Sequence, residues 1–86
     1  MANIRSQIKR NRQNESRRAR NRGVRTRLRT FNRRFDDAVA AGDRDTAEEA
    51  YRIAARELDK AVNKGVVHRN TAANRKSSMA TRLNRL

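Results

Sequence analysis

The sequence predicts an all-α fold: an up-down-up three-helix bundle whose first helix is long and protrudes from the rest. Three observations predict it. Proline is absent, and two of the three glycines close periodic stretches. Apolar residues recur at helical spacing in three separate segments. The alternation of β-branched and aromatic residues that marks strands is missing.

Gly42 and Gly65 stand where helices end, because glycine accepts the positive φ of a helix C-terminus. Asp43 follows Gly42 and suits the N-cap of the next helix. Asp45, Glu48 and Glu49 then fall in or near its first turn, where the helix dipole favours acids. The expected helices span roughly residues 4–41, 44–63 and 67–85. Short connections favour antiparallel neighbours. The whole chain, 1–86, reads as one domain, with 1–22 a basic arm on the first helix and 23–86 the bundle.

The core is narrow. In the first helix Val24, Leu28, Phe31, Phe35, Ala38 and Val39 share a face. In the second, Ala47, Ala50, Tyr51, Ala54, Leu58, Ala61 and Val62 do so. The third offers Ala72, Met79, Leu83 and Leu86, with Val66 and Val67 at the turn. Leu, Ile, Val and Phe total only 14 of 86 residues, below the roughly 20% at which a charged chain is suspected of disorder. The free protein is therefore expected to be marginally stable, with part of it ordering on a partner. Residues 9–18 carry no apolar side chain, so the arm has nothing to pack on the bundle. If helical, it extends about 30 Å. Gly23, where arm meets bundle, reads either as a tolerated helix glycine or as a bend or close-approach point, at a cost of about 1 kcal/mol.

Charge identifies the class of partner. Twenty-three Lys and Arg against nine acids give +14, and 19 of the 23 are arginine. The guanidinium is always charged and its planar fork matches phosphate oxygens. Residues 1–34 carry a net +12, residues 35–62 a net −4, and residues 63–86 a net +6. The first and third helices should face a polyanion, with the second bracing them or facing away. Nucleic acid is the expected partner. A merely soluble basic domain and an anionic membrane are the lesser readings, the membrane because the arm has no bulky apolar face beside its arginines.

Two constellations carry the binding. Arg18, Arg22, Arg25, Arg29 and Arg33 form a stripe on one flank of the first helix, and Arg27 and Arg34 line the opposite flank. A solvated charged face normally interleaves acids at i+4; here those partners are missing. On the third helix Asn70, Asn74, Ser77 and Thr81 repeat opposite the core face, with Ser78 beside them and Arg69, Arg75 and Arg82 to the sides. Small hydrogen-bonding side chains let a helix approach a sugar–phosphate backbone closely. The alternative is an ordinary polar surface. His68 opens the third helix and reads either as a cap or as a group that bonds a phosphate or stacks on a base.

Other chemistry is excluded by composition. Phe31, Phe35 and Tyr51 all lie on core faces, which leaves no stacking platform for unpaired bases. There is no cysteine and one histidine, so no metal centre, no cofactor and no nucleophile–base pair is expected. The opening lacks the apolar core of a secretory signal. It is basic and acid-poor like a transit peptide, yet it merges with the first helix and is read as mature cytoplasmic sequence.

Three stretches resemble the bacterial small-subunit ribosomal protein family S-twenty. They are Met1-Ala2-Asn3-Ile4-Arg5-Ser6-Gln7-Ile8-Lys9-Arg10, then Ala40-Ala41-Gly42-Asp43, then Lys64-Gly65-Val66-Val67-His68-Arg69-Asn70-Thr71-Ala72-Ala73. The resemblance runs in order along the whole chain and departs from the family around Asn11, Arg12, Gln13 and Gly23. It implies a three-helix bundle in the cytoplasmic ribosome. It implies direct binding to small-subunit (16S) ribosomal RNA, bridging the 5′ domain and the long penultimate stem near the 3′ end. Few or no contacts to other ribosomal proteins, no small-molecule substrate and no membrane follow from it. By position it implies RNA contacts at Asn3, Ile4, Ser6, Lys9, Arg10, Asn14 and Arg17 of the arm, and at His68, Arg69, Asn70, Arg75, Lys76 and Ser77 of the third helix. Arg5 and Lys64, inside the matching stretches, complete the candidate set. A DNA-compacting protein is the competing expectation, and an enzyme is the least supported.

Overall fold

A computed structural model describes residues 3–86, with side-chain surroundings from Ile4 onward; the expected contact at the Asn3 side chain lies outside the described residues. Three helices follow one another: α1 over Asn3–Ala40, α2 over Arg44–Asn63 and α3 over Arg69–Asn84. No strand occurs among the described residues. The Cα trace is a rod, 63 × 21 × 14 Å.

Both connections are built by glycine. Gly42 and Gly65 have φ of +68° and +74°, the left-handed conformation that a side chain resists. At the first turn the Gly42 N–H donates to the Val39 carbonyl and the Asp43 N–H to the Ala38 carbonyl. At the second, Gly65 N–H reaches Val62 and Val66 N–H reaches Ala61. These paired bonds satisfy carbonyls that the ending helix leaves free. Asp43 then caps α2. One carboxylate oxygen accepts the Thr46 N–H at 3.2 Å and the other the Thr46 hydroxyl at 2.6 Å.

Helix α2 is the centre of the bundle: α1 and α3 each pack mainly on it rather than on one another. Arg27 of α1 meets Glu57 of α2, and Phe35 meets Tyr51, so these helices run antiparallel. Two clusters make the core. Phe35, Ala38, Ala47, Ala54 and Met79 form one, with Phe31, Val39, Ala50, Tyr51 and Leu83 partly buried against it. Leu28, Leu58, Ala61 and Ala72 form the other, flanked by Val24, Val62 and Val67. Phe35 and Leu58 are fully buried, each worth about 1.5–3 kcal/mol of burial. Alanine supplies the rest of the fit by letting the helices approach closely.

Three details differ from the sequence reading. Helix α3 starts at Arg69 rather than 67, because Val66 and Val67 are spent on the turn and His68 is the cap. Leu86 lies past the last turn and is exposed, not in the core. The first contact between arm and bundle comes at Arg20, whose guanidinium donates to the Lys64 carbonyl at 3.4 Å, and Asn21 beside it is half-buried. Residues 4–20 are exposed throughout. At Gly23 the helix runs on without interruption, and a methyl group added there would meet nothing within 4 Å.

The two glycines are therefore expected to respond in opposite senses. Gly23→Ala raises the thermal midpoint followed by circular dichroism, since alanine removes a helix penalty of about 1 kcal/mol. Gly42→Ala lowers it, because alanine is strained at positive φ. The reverse order of midpoints would contradict the helix and turn described here. A second expectation concerns pH. The Thr46 hydroxyl and N–H favour the charged Asp43 carboxylate and hold it below the usual carboxylate range. A group whose folded pKa is lowered contributes above the unfolded value and loses that contribution as acid protonates the folded state. Asp43→Ala is thus expected to lower the midpoint at neutral pH, with the gap to the parent closing below the ordinary carboxylate range. A gap that persists there would remove the charged cap from the explanation.

Candidate nucleic-acid interface

The cations of the folded chain divide into two sets. The first is matched to acids, and it ties the helices together. Glu57, with a side chain only 12% exposed, serves Arg27 at 3.6 Å and Lys60 at 3.7 Å. Arg52 pairs with Glu48 along α2 at 2.9 Å. Lys76 Nζ donates to Asp59 at 2.8 Å, fastening α3 to α2. Arg82 donates to Asp36 at 2.6 Å, fastening α3 to α1, and its guanidinium lies 5.3 Å from the centre of the Phe35 ring. Arg34 stacks over Phe31 at 5.4 Å.

The second set is unmatched. Arg18, Arg22, Arg25, Arg29 and Arg33 are exposed on α1 and take part in no ion pair among the described residues. On the arm Ile4, Arg5, Ser6, Lys9, Arg10, Asn14 and Arg17 are likewise exposed. On α3 the same holds for Arg69 and Arg75, and the polar row of Asn70, Asn74, Ser77, Ser78 and Thr81 faces outward as its spacing predicts. The Thr81 hydroxyl is partly engaged, donating to the Ser77 carbonyl at 3.0 Å. Lys64 caps the C-terminus of α2 and is exposed.

His68 is a cap first. Its Nδ1 accepts the Asn70 N–H at 3.1 Å, which assigns the ring proton to Nε2 and leaves that N–H as the free donor. The cap holds His68 at the mouth of a groove between α1 and α3. Arg25, Leu28, Arg29 and Asn32 form one wall, Thr71 and Arg75 the other, and Val66, Val67 and His68 the end, around a cavity of about 350 Å³. A second cleft of about 330 Å³ continues past Asn32 and Arg75 to Ser78, Met79 and the Asp36–Arg82 pair. Toward the arm, Arg18, Asn21, Arg22 and Thr26 carry the same arginine face onward from Arg25 and Arg29. Arg25 and Arg29 of α1 and Arg75 of α3 thus converge on one groove, while Arg69 lines the other flank of α3 with Val62 and Gly65.

Asn21, Thr26, Asn32 and Thr71 are members that the sequence reading missed. A signal existed. Asn32 follows Arg25 and Arg29 at i+7 and i+3, and Thr71 lies three residues after His68 and four before Arg75, spacings that share a helix face. Lys76 and Arg82 are the opposite case: both are candidate contacts by sequence, and both are engaged by acids of neighbouring helices.

Among the described residues no cluster of His, Cys, Asp or Glu is arranged to hold a metal ion, and no helix is long and apolar enough to cross a membrane. What the surface offers is an array of exposed cations and hydrogen-bond donors. A family model described as ribosomal protein S20 matches residues 2–84. The chain belongs to the ribosomal protein S20 family. Small ribosomal subunit protein bS20 of Frankia casuarinae is 62% identical over 80 residues, covering 93% of this chain and 90% of the relative. The protein of the same name from Corynebacterium glutamicum is 58% identical over 86 residues, all of this chain and 99% of the relative. That from Beutenbergia cavernae is 54% identical over the full length of both. Within an S20-family chain, the two sets of cations divide the labour between holding the bundle together and facing outward.

That division is testable at Asp36. Asp36→Asn releases Arg82 from its partner. The expected result is a small fall in thermal midpoint, within the roughly 1 kcal/mol of an exposed pair, and an affinity for small-subunit ribosomal RNA within about twofold of the parent. A several-fold gain in affinity would reassign Arg82 from helix fastening to RNA contact.

Proposed function

We propose that this chain is a structural constituent of the bacterial small ribosomal subunit. It binds small-subunit (16S) ribosomal RNA directly and stabilises the folding and assembly of that RNA by bridging RNA helices. It is not an enzyme, and its place is the ribosome in the cytoplasm. One observation carries the reading: Arg25 and Arg29 of α1 and Arg75 of α3, none of them in an ion pair among the described residues, converge on one groove, while acid is concentrated on α2 and the adjoining end of α1. Family membership and the names of the relatives support it.

The mechanism follows from charge. Long-range attraction captures the protein on RNA, and each phosphate neutralised releases condensed counterions. The arm, residues 1–22 of the single domain, is fixed in place as its cations find phosphates. The bundle contributes Arg22, Arg25, Arg29 and Arg33 from α1 and Lys64, His68, Arg69, Asn70, Asn74, Arg75, Ser77, Ser78 and Thr81 from the α3 side. Arm and bundle lie along a rod of 63 Å, so one small protein reaches RNA segments distant in sequence. In this reading the segments are the 5′ domain and the long penultimate stem, with few contacts to other ribosomal proteins. A DNA-compacting role would use the same arginines, but the outward row of small polar side chains on α3 favours the ribose-bearing backbone.

Chemical footprinting of small-subunit ribosomal RNA, with duplex DNA as competitor, tests this. Protection confined to discrete RNA segments and unaffected by modest DNA excess is expected. Amide exchange over residues 4–20 should be rapid in the free protein and slow in the complex. Equal competition by DNA, or an arm already protected without RNA, would reject the reading.

A further inference from the structure

We propose that the groove between α1 and α3 is a seat for the sugar–phosphate backbone of an RNA strand, and that its occupant bridges these two helices, which pack mainly on α2. The proposal rests on the RNA reading above and assigns that reading a specific place. Four observations point to it.

First, the groove gathers three arginines from two helices, Arg25 and Arg29 from α1 and Arg75 from α3, around about 350 Å³ of open space. None of the three takes part in an ion pair among the described residues. The one acid at the far end of the groove, Asp36, is already engaged by Arg82. Guanidiniums held on opposite walls repel one another, and an anion between them reverses the sign of that interaction.

Second, the neutral donors are placed for the same ligand. His68, whose Nδ1 is taken by the cap, lines the groove's end, and Thr71 lines the α3 wall. Third, Asn32 carries the only buried side-chain oxygen without a hydrogen-bond partner among the described residues, and it sits where the two clefts join, beside Arg75. A phosphate that draws Arg75 inward brings a five-donor fork toward that oxygen. Asn32 would then act as a positioning residue for Arg75. Fourth, Leu28 on the α1 wall and Val66 and Val67 at the end are apolar, which suits the sugar edge of a strand and displaces water around the charged contacts.

Both α1 and α3 pack mainly on α2. The Asp36–Arg82 pair joins them at one end of the groove, leaving the end near Arg25 and His68 open. A strand lying there is gripped from two helices at once. The seat therefore exists only in the folded bundle, unlike the arm.

The test uses the full-length chain and a transcript of small-subunit ribosomal RNA. Three variants are compared with the parent: Arg25→Gln with Arg75→Gln in the groove, Arg5→Gln with Arg12→Gln on the arm, and Asn32→Leu. The groove pair is expected to weaken binding about tenfold or more. It should also reduce the slope of log affinity against log salt by roughly 1.4–1.8, two phosphate contacts. Amides of α3 should be protected by RNA in the parent and in the arm variant, but not in the groove variant. Asn32→Leu should weaken binding while leaving the salt slope at the parental value, since it removes no charge. Free-protein helix content is measured for every variant, and it should stay at the parental level for both arginine pairs. If the groove variant keeps parental affinity, slope and α3 protection, the seat is refuted while the RNA reading survives. If the parent itself fails to bind the transcript, the RNA reading fails. Equal α3 protection by duplex DNA would refute an RNA strand as the occupant.

Discussion

Repulsion among arginines that have no acid to meet governs this molecule. The +14 charge is not spread evenly: the acids cluster on α2 and the adjoining end of α1, and the arm has Glu15 alone. The bundle forms where cations can be matched, through Glu57, Asp59 and Asp36, and the chain stays extended where they cannot. Self-repulsion of this kind opposes compaction unless a partner of opposite sign relieves it. The arm is the visible result, seventeen residues from Ile4 to Arg20 that are all exposed.

Packing follows the same economy. Among the described residues five of the nine buried ones are alanine, so the core is close-fitting but small. Phe35 and Leu58 each anchor one of the two clusters. Because α2 lies between its neighbours, the charged flanks of α1 and α3 are brought to the same side without being pressed together. The groove between them is a consequence of that order of packing, with Ala72 and Met79 seating α3 in the core and the Arg82–Asp36 and Lys76–Asp59 pairs at its edges.

Much of this was legible in the chain. Helix ends were marked by Gly42, Asp43 and Gly65, because positive φ and N-capping are local properties of one or two residues. The core faces of α1 and α2 followed from spacing alone. The start of α3 was misread because Val66 and Val67 are apolar and extend the helical pattern, whereas the turn after Gly65 consumes them before His68 can cap. Roles that depend on register between helices were invisible. Nothing local distinguishes Arg75, which is free, from Lys76 and Arg82, which meet acids 17 and 46 residues away. Asn32 and Thr71 escaped notice for the same reason: each gains meaning only from the wall opposite.

The Cα trace is only 14 Å across in its thinnest direction. Guanidiniums anchored to so slender a frame act, on the side where α1 and α3 form their groove, as a layer of immobile counterions, fixed in the solid rather than drawn from solution.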